Sequence, residues 1–271
     1  GLIKNVGEEM NVDIYMQSDQ EQMLRLALER HFETERENFC GRTFKIKTLA
    51  LFFIDDITSY RESEDGKKPY LLEAFERLLK EKLVATIKDL DESEAEYREY
   101  LEASLNHIDE CHGGYFAQDN SSSDEDIANE VNDILNGKKH LLAFIDKDGK
   151  YILRRFLFSK WTLKEGWDNP NVFTIAKLRS SGSETSKLQE VGRGLRLPVD
   201  ECGNRISNQE FMLNYIVDFT EADFANKLVE QINSEVPGTT SVSLEQIKLV
   251  AEKMGKEDSL LLAELLMKKY V

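Results

Sequence analysis

Residues 48–55, TLALFFID, are apolar almost without interruption. A strand with one wet face alternates apolar and polar side chains. An unbroken run therefore marks a strand covered on both faces, the condition of inner strands in a parallel sheet packed with helices above and below. NVFTIAKL (171–178) and EFMLNYIVDF (210–219) repeat the signal. Between such runs lie helical patterns. SDQEQMLRLALERHFETERENF (18–39) reads as an amphipathic helix, with Ser18 at its cap and Glu21 three residues later, and NVDIYMQ (11–17) before it reads as a strand. Strands alternating with helices predict an α/β fold, a parallel sheet flanked by helices, with a further helical extension at the C-terminus.

The remaining segments fill in this rhythm. A helical region spans about 68–105, and a polar loop follows HGGYF (112–116). QDNSSSDED (118–126) reads as a solvated linker into a short helix near 124–136. HLLAFIDKDGKYILRRFLFS (140–159) has apolar runs on both sides of DKDG, the pattern of a hairpin feeding a strand. EADFANKLVEQI (221–232) is a helix, NSEVPGTTS (233–241) a linker, and the tail from 243 is helical. The divisions expected are an N-terminal strand and helix over 1–47 packing on the main lobe, the lobe itself over 48–232, and a linker with helical tail over 233–271.

Charge bears on partners. The net charge is −16, which on its face argues against a nucleic-acid binder. The charge is uneven, however. Residues 138–205 carry 14 Lys and Arg against 8 Asp and Glu, whereas DLDESEAEYRE (89–99) holds six acids and one arginine. An acidic average can thus hide a basic face. Cys40, Cys111 and Cys202 are far apart, which fits a reduced, cytoplasmic chain. No apolar run reaches the length of a membrane span and no signal peptide is visible. The opening Gly1, with no Met before it, suggests a piece of a longer protein.

Ligands on parallel sheets bind beyond the carboxyl ends of the strands, and two such loops carry unusual chemistry. KWTLKEGWDNPNV (160–172) offers Gly166 for close backbone approach, the Asp168 carboxylate, and an Asn169-Pro170 turn. SKLQEVGRGLRLP (186–198) holds two glycines inside a helical pattern, each costing about 1 kcal/mol relative to alanine. Taken as a helix over 186–196, it places Gln189, Arg193 and Arg196 on one face. An amide and two guanidiniums converging on one point match a polyphosphate in shape and charge.

LQEVGRGLRL resembles motif VI, QxxGRxxR, of superfamily 2 helicases and translocases, and LKEGWDNPNV resembles their motif V, about twenty residues earlier and in the expected order. More narrowly, LRLALERHFETERENF, LALFFIDDITSYR, HGGYF, FLFSKWTLKEGWDNPNV and LQEVGRGLRLP together resemble the Res subunit of type III restriction-modification enzymes, over roughly residues 1–232. The resemblance implies a second RecA-like lobe, the half of a motor that completes an ATP site without holding the phosphate loop. No GxxxxGK[ST] string occurs in the chain. FFIDD (52–56) resembles the end of a Walker B strand, but without a phosphate loop upstream it is better read as the first buried strand of a second lobe.

On this resemblance Arg193 and Arg196 would reach the β- and γ-phosphates across the lobe interface, and Gln189 would orient or sense the attacking water. Gly166, Asp168 and Gly192 would face the nucleotide. Lys160, Trp161 and Thr162, the loop after Asp55, and His112 with Gly113 would lie near the DNA backbone. In many relatives a small hydroxyl residue stands where Lys160 and Trp161 stand here. The implied cofactors are ATP and Mg²⁺, held mainly by a first lobe outside this chain. The implied partners are double-stranded DNA, that first lobe, and a methyltransferase (Mod) subunit. Nuclease activity is assigned to a domain outside these residues, and this piece alone is expected to be inactive.

Three readings stay open at this stage: a Res-type motor lobe, a lobe of another superfamily 2 helicase, and a RecA-like lobe that only binds DNA or protein. Trp161 and Trp167 read first as packing residues. His107, Cys111 and His112 lack a fourth ligand at metal spacing, so no metal site is expected. DKDG reads as a turn in place of a calcium loop.

Overall fold

The computed structural model describes residues 12–61, 69–116, 138–160, 169–178, 188, 191–218 and 221–235. The chain divides into two compact units, 1–219 and 220–271. In the first, the described strands form one sheet in the order β2-β3-β1-β4-β5, with every pairing parallel. The strands are β1 (Leu49–Phe53), β2 (His112–Gly114), β3 (Phe156–Ser159), β4 (Val172–Lys177) and β5 (Asn214–Ile216). The helices are α1 (Val12–Cys40), α2 (Tyr70–Asp89), α3 (Ala95–Asn106) and the short α4 (Lys138–Leu142). The α/β class, a RecA-like parallel sheet flanked by helices, holds. In the second unit, α5 (Ala222–Glu235) places apolar Phe224 and Leu228 four residues apart, one turn from each other.

The run that opened the sequence is β1, central in the sheet and buried at all five positions. Its side chains point alternately to two cores. Ala50 and Phe52 join Phe156, Phe158 and Ala176 on the face covered by α1, α2 and α3. Leu49, Leu51 and Phe53 join Leu157, Val172 and Ile175 on the other, with Tyr115 and Leu141. Phe52 stacks on Phe158 at 4.8 Å between ring centres, and Phe75 of α2 meets Phe158 edge-on at 4.9 Å.

Some sequence expectations change here. Residues 12–17, expected as a strand, are the first turns of α1, and Ser18 lies inside that helix. The β preference of Val12, Ile14 and Tyr15 is weak and local, whereas a helix nucleated over 18–39 gains one hydrogen bond for each residue added. HGG of HGGYF pairs with β3 as an edge strand. The hairpin around DKDG is present, with Ile145 bridging Tyr151 and Gly149 at a positive φ of 79°, but α4 occupies the start of its first arm. The helix expected over 221–232 runs to Glu235. The linker at 118–126, the helix near 124–136 and the tail from 243 lie outside the described residues.

At the amino edge of the sheet a charged network is fully buried. Arg155, just before β3, pairs through Nε with Glu35 Oε1 of α1 at 2.8 Å and donates from Nη1 to Ser104 Oγ at 3.1 Å. The Tyr97 hydroxyl donates to Glu35 Oε2 at 3.0 Å. Burial opposes the Glu35 charge, but Arg155, His31 and Tyr97 outweigh it and hold the carboxyl below its ordinary range. Lys47, just before β1, donates from Nζ to Tyr100 Oη at 2.8 Å and to the carbonyl of Ile152. Burial, helped by the Arg155 charge, pulls the Lys47 amine down to about 7.

Candidate functional site

The described strands all run the same way, so their carboxyl ends share one edge. Asp55 and Asp56 follow β1 there, and Lys160 follows β3 on the neighbouring strand. Asp56 caps a 3-10 turn over Ile57–Ser59: its Oδ1 accepts the Thr58 amide at 3.2 Å and its Oδ2 the Thr58 hydroxyl at 2.5 Å. These bonds, chiefly the hydroxyl's, hold its carboxyl below the ordinary range, and the positive charge of Lys160 adds to the effect. Lys160 is half-buried.

The turn after Asp56 ends in Tyr60, which is built into the core. Its ring stacks on Phe158 at 4.4 Å, and its hydroxyl lies 2.6 Å from His112 Nδ1. His112 Nε2 faces Glu76 Oε1 of α2 at 3.6 Å. The imidazole is thus buried and engaged by Tyr60 and Glu76. Gly113 follows it on β2 and carries Tyr115 close by: a Cβ at Gly113 would stand 3.3 Å from the Tyr115 hydroxyl oxygen. Gly114 is required by close approach, since a Cβ there would come within 2.5 Å of Phe116 and 2.7 Å of Tyr60. Cys111 and His107, weighed earlier against a metal, are joined by a hydrogen bond from Cys111 Sγ to the His107 carbonyl at 3.4 Å.

The second candidate stretch lies beside the edge strand β5. Val191 is buried, and helical backbone ends at Gly192; the Gly194 amide then donates to the Val191 carbonyl at 2.9 Å, closing a turn. The helix expected over 186–196 therefore stops before Arg193. The cause is local. A Cβ at Gly194 would lie 2.3 Å from Leu213 Cδ1, one residue before β5, so the glycine lets the turn close onto that leucine. Gly192 differs: nothing lies within 4 Å of the Cβ it lacks. Among the described residues, no neighbour accounts for its smallness.

Arg193 and Arg196 leave this turn half-buried, next to exposed Leu195 and Leu197. Three residues past Arg196 the chain is clamped to the amino end of β4. The Val199 amide donates to Asn171 Oδ1 and Asn171 Nδ2 donates to the Val199 carbonyl, both at 2.8 Å. Leu213 on one side and Asn171 on the other thus fix the course of the arginine turn. Neither stood out in the sequence, although Asn171 ends the DNPN string. The arginine turn, beside the start of β5, and Lys160, at the carboxyl edge, occupy different parts of the sheet. Gln189, Trp161, Thr162, Gly166 and Asp168 lie outside the described residues.

No family model matches the chain. Among curated proteins it is 49% identical over 248 residues to the type III restriction-modification enzyme StyLTI Res subunit of Salmonella typhimurium, covering 86% of this chain and 24% of that protein. It is 46% identical over 221 residues to the EcoP15I Res subunit of Escherichia coli and to the EcoPI Res subunit of Escherichia phage P1, covering 81% of this chain and 22% of each. The chain thus spans about a quarter of the length of the relatives it matches. No described helix is long and apolar enough to cross a membrane. Identity near one half over most of the chain places it, as a partial stretch, in the family of type III restriction-modification Res subunits.

Proposed function

We propose that this chain is the second motor lobe of an ATP-dependent DNA translocase belonging to a type III restriction enzyme. It supplies an arginine turn to an ATP site whose phosphate loop and Mg²⁺ ligands sit on a first lobe. The observation that carries the reading is the contrast between the two glycines. A Cβ at Gly194 would meet the Leu213 side chain, whereas nothing among the described residues lies within 4 Å of a Cβ at Gly192, the residue before Arg193. A glycine that no described neighbour demands, just before Arg193, suits the close approach of a ligand from outside.

The chemistry follows from charge. Arg193 and Arg196 bind phosphate oxygens and offset the negative charge that develops as the terminal phosphoryl group transfers; arginines so placed are worth roughly 10³–10⁵ in kcat in other nucleotide hydrolases. Mg²⁺, when bound, neutralises charge on the same phosphates. Gln189 orients the attacking water, and Gly166 and Asp168 line the nucleotide from the preceding loop. Lys160, with Trp161 and Thr162, contacts the DNA backbone at the carboxyl edge, where Asp56, engaged by Thr58, sets the local charge. His112 and Gly113 support that edge from the core side. Sequence recognition belongs to a Mod partner and strand cleavage to a nuclease domain elsewhere in the parent chain.

Gly192→Ala tests the contrast. The new methyl meets nothing within 4 Å and replaces glycine at the end of a helix, so Tm stays level or rises. DNA-stimulated ATPase of the full-length chain falls roughly tenfold to a hundredfold, because the approach of the phosphates is displaced. Unchanged turnover in a stable variant would overturn the reading.

A further inference from the structure

Two stretches singled out in the sequence, DDITSYR (55–61) and HGGYF (112–116), prove to be one physical unit. Tyr60 is pinned three ways: by its hydroxyl to His112, by stacking on Phe158, and by Phe116, whose ring centre is 5.8 Å away. Gly114 leaves the space in which the Tyr60 and Phe116 rings come together over β2. The next residue, Arg61, lies with its guanidinium 5.3 Å from the centre of the Phe116 ring, half-buried. A guanidinium laid on an aromatic face keeps its charge and loses side-chain freedom in advance of binding.

This unit stands at the carboxyl edge. Tyr60 rests on Phe158, two residues before Lys160, and Asp56 feels the Lys160 charge. Asp55 and Asp56 alone would make this edge repel a polyanion; Asp56 is engaged by Thr58, and the Lys160 charge acts on it. Arg61 and Lys160 are then two cations, on turns that leave neighbouring strands, with one of them fixed on an aromatic ring.

We propose that Arg61 is a phosphate-contacting residue of the DNA edge, and that the Tyr60–His112–Glu76 contact and the glycines of β2 are the cradle that positions it. The proposal rests on reading the carboxyl edge as the DNA side. The motif HGGYF then acts from within the core. His112 accepts the Tyr60 hydrogen bond through Nδ1 when its proton sits on Nε2 toward Glu76, and that arrangement fixes the turn carrying Arg61.

The experiment measures binding of a fluorescent duplex of arbitrary sequence to the full-length chain by anisotropy across a salt series. Wild type is compared with Arg61→Gln, Lys160→Gln and Tyr60→Phe. Arg61→Gln weakens binding roughly threefold to tenfold at low salt and lowers the slope of log K against log salt by about 0.9, one phosphate's share. A residue that only supports the fold leaves that slope alone. Tyr60→Phe keeps the ring packing, removes the bond to His112, and weakens binding by a smaller factor. If Lys160→Gln lowers affinity and slope while Arg61→Gln matches wild type, the proposal fails and the DNA edge stands. If Lys160→Gln and Arg61→Gln both match wild type, the edge itself is misplaced and the proposal falls with it. Tyr60→Phe binding like wild type, with Arg61→Gln impaired, would remove the cradle from the account.

Discussion

At the scale of single residues, the least expected feature is the charge buried under the sheet. Lys47 and Arg155 look like surface residues in a string, yet both are fully buried and share their surroundings with Glu35. Burying a charge is tolerated when hydrogen bonds and an opposite charge replace water, and breaking such a set leaves an uncompensated ion. Lys47 titrates near 7 in the fold, below its ordinary 10.5. Between those values the unfolded chain binds more protons than the folded one, so stability rises with pH from about 7 upward, by at most about 1.4 kcal/mol per pH unit. Below about 7 both states hold the proton and the fold bears the whole burden of the buried ammonium. Urea midpoints taken near pH 6 and pH 9 should therefore differ in the wild-type chain. In Lys47→Met the same pair should lie closer together, with the gain at the acidic end; an equal alkaline rise in both would show that Lys47 is not its source.

At the scale of elements, β2 shows how far a strand can be from its own sequence preferences. HGG has little β propensity, and its pairing with β3 is imposed by what surrounds it. Replacing Gly114 with alanine forces a methyl against Phe116 and Tyr60, and overpacking of this kind costs about 1–3 kcal/mol. Thermal unfolding of Gly114→Ala should show that loss, and an unchanged Tm would mean that the rings move aside freely. The same logic explains which elements were legible. The runs that became β1 and β4 were plain because burial on both faces fills nearly every position with apolar side chains, all five in β1 and all but Thr174 and Lys177 in β4. β2 was hidden because glycine was selected for clearance. Residues 12–17 were misread because β-branched and aromatic side chains suggest extended backbone, whereas an adjoining helix extends through them. EFMLNYIVDF looked like a long strand, but only Asn214–Ile216 pairs with β4.

At the scale of the whole molecule, the sheet holds two cationic surfaces apart. The carboxyl edge carries Lys160 and Arg61, and the flank of β5 carries Arg193 and Arg196. Under the proposed function the first meets DNA and the second meets nucleotide, so a rigid parallel sheet is what relates them. The arginine turn was singled out by its spacing of Gly and Arg, residue types that the proposed phosphate chemistry would need. Its shape was not legible, because Leu213 and Asn171, which set where the helix stops and where the chain goes next, are far away in sequence. The resemblance implied a place for His112 near the DNA backbone, whereas its burial and its bond to Tyr60 are long-range features that no local pattern reports. The central claim is that this lobe completes an ATP site with its arginines. It is tested most directly by DNA-stimulated ATPase of the full-length chain, wild type against Arg193→Ala and Arg196→Ala, with the fold checked by circular dichroism. The account predicts a loss of several hundredfold or more, toward the roughly 10³–10⁵ range of arginines that act on transferring phosphoryl groups. Turnover within about twofold of wild type would contradict it, and would leave a basic turn whose work is binding alone.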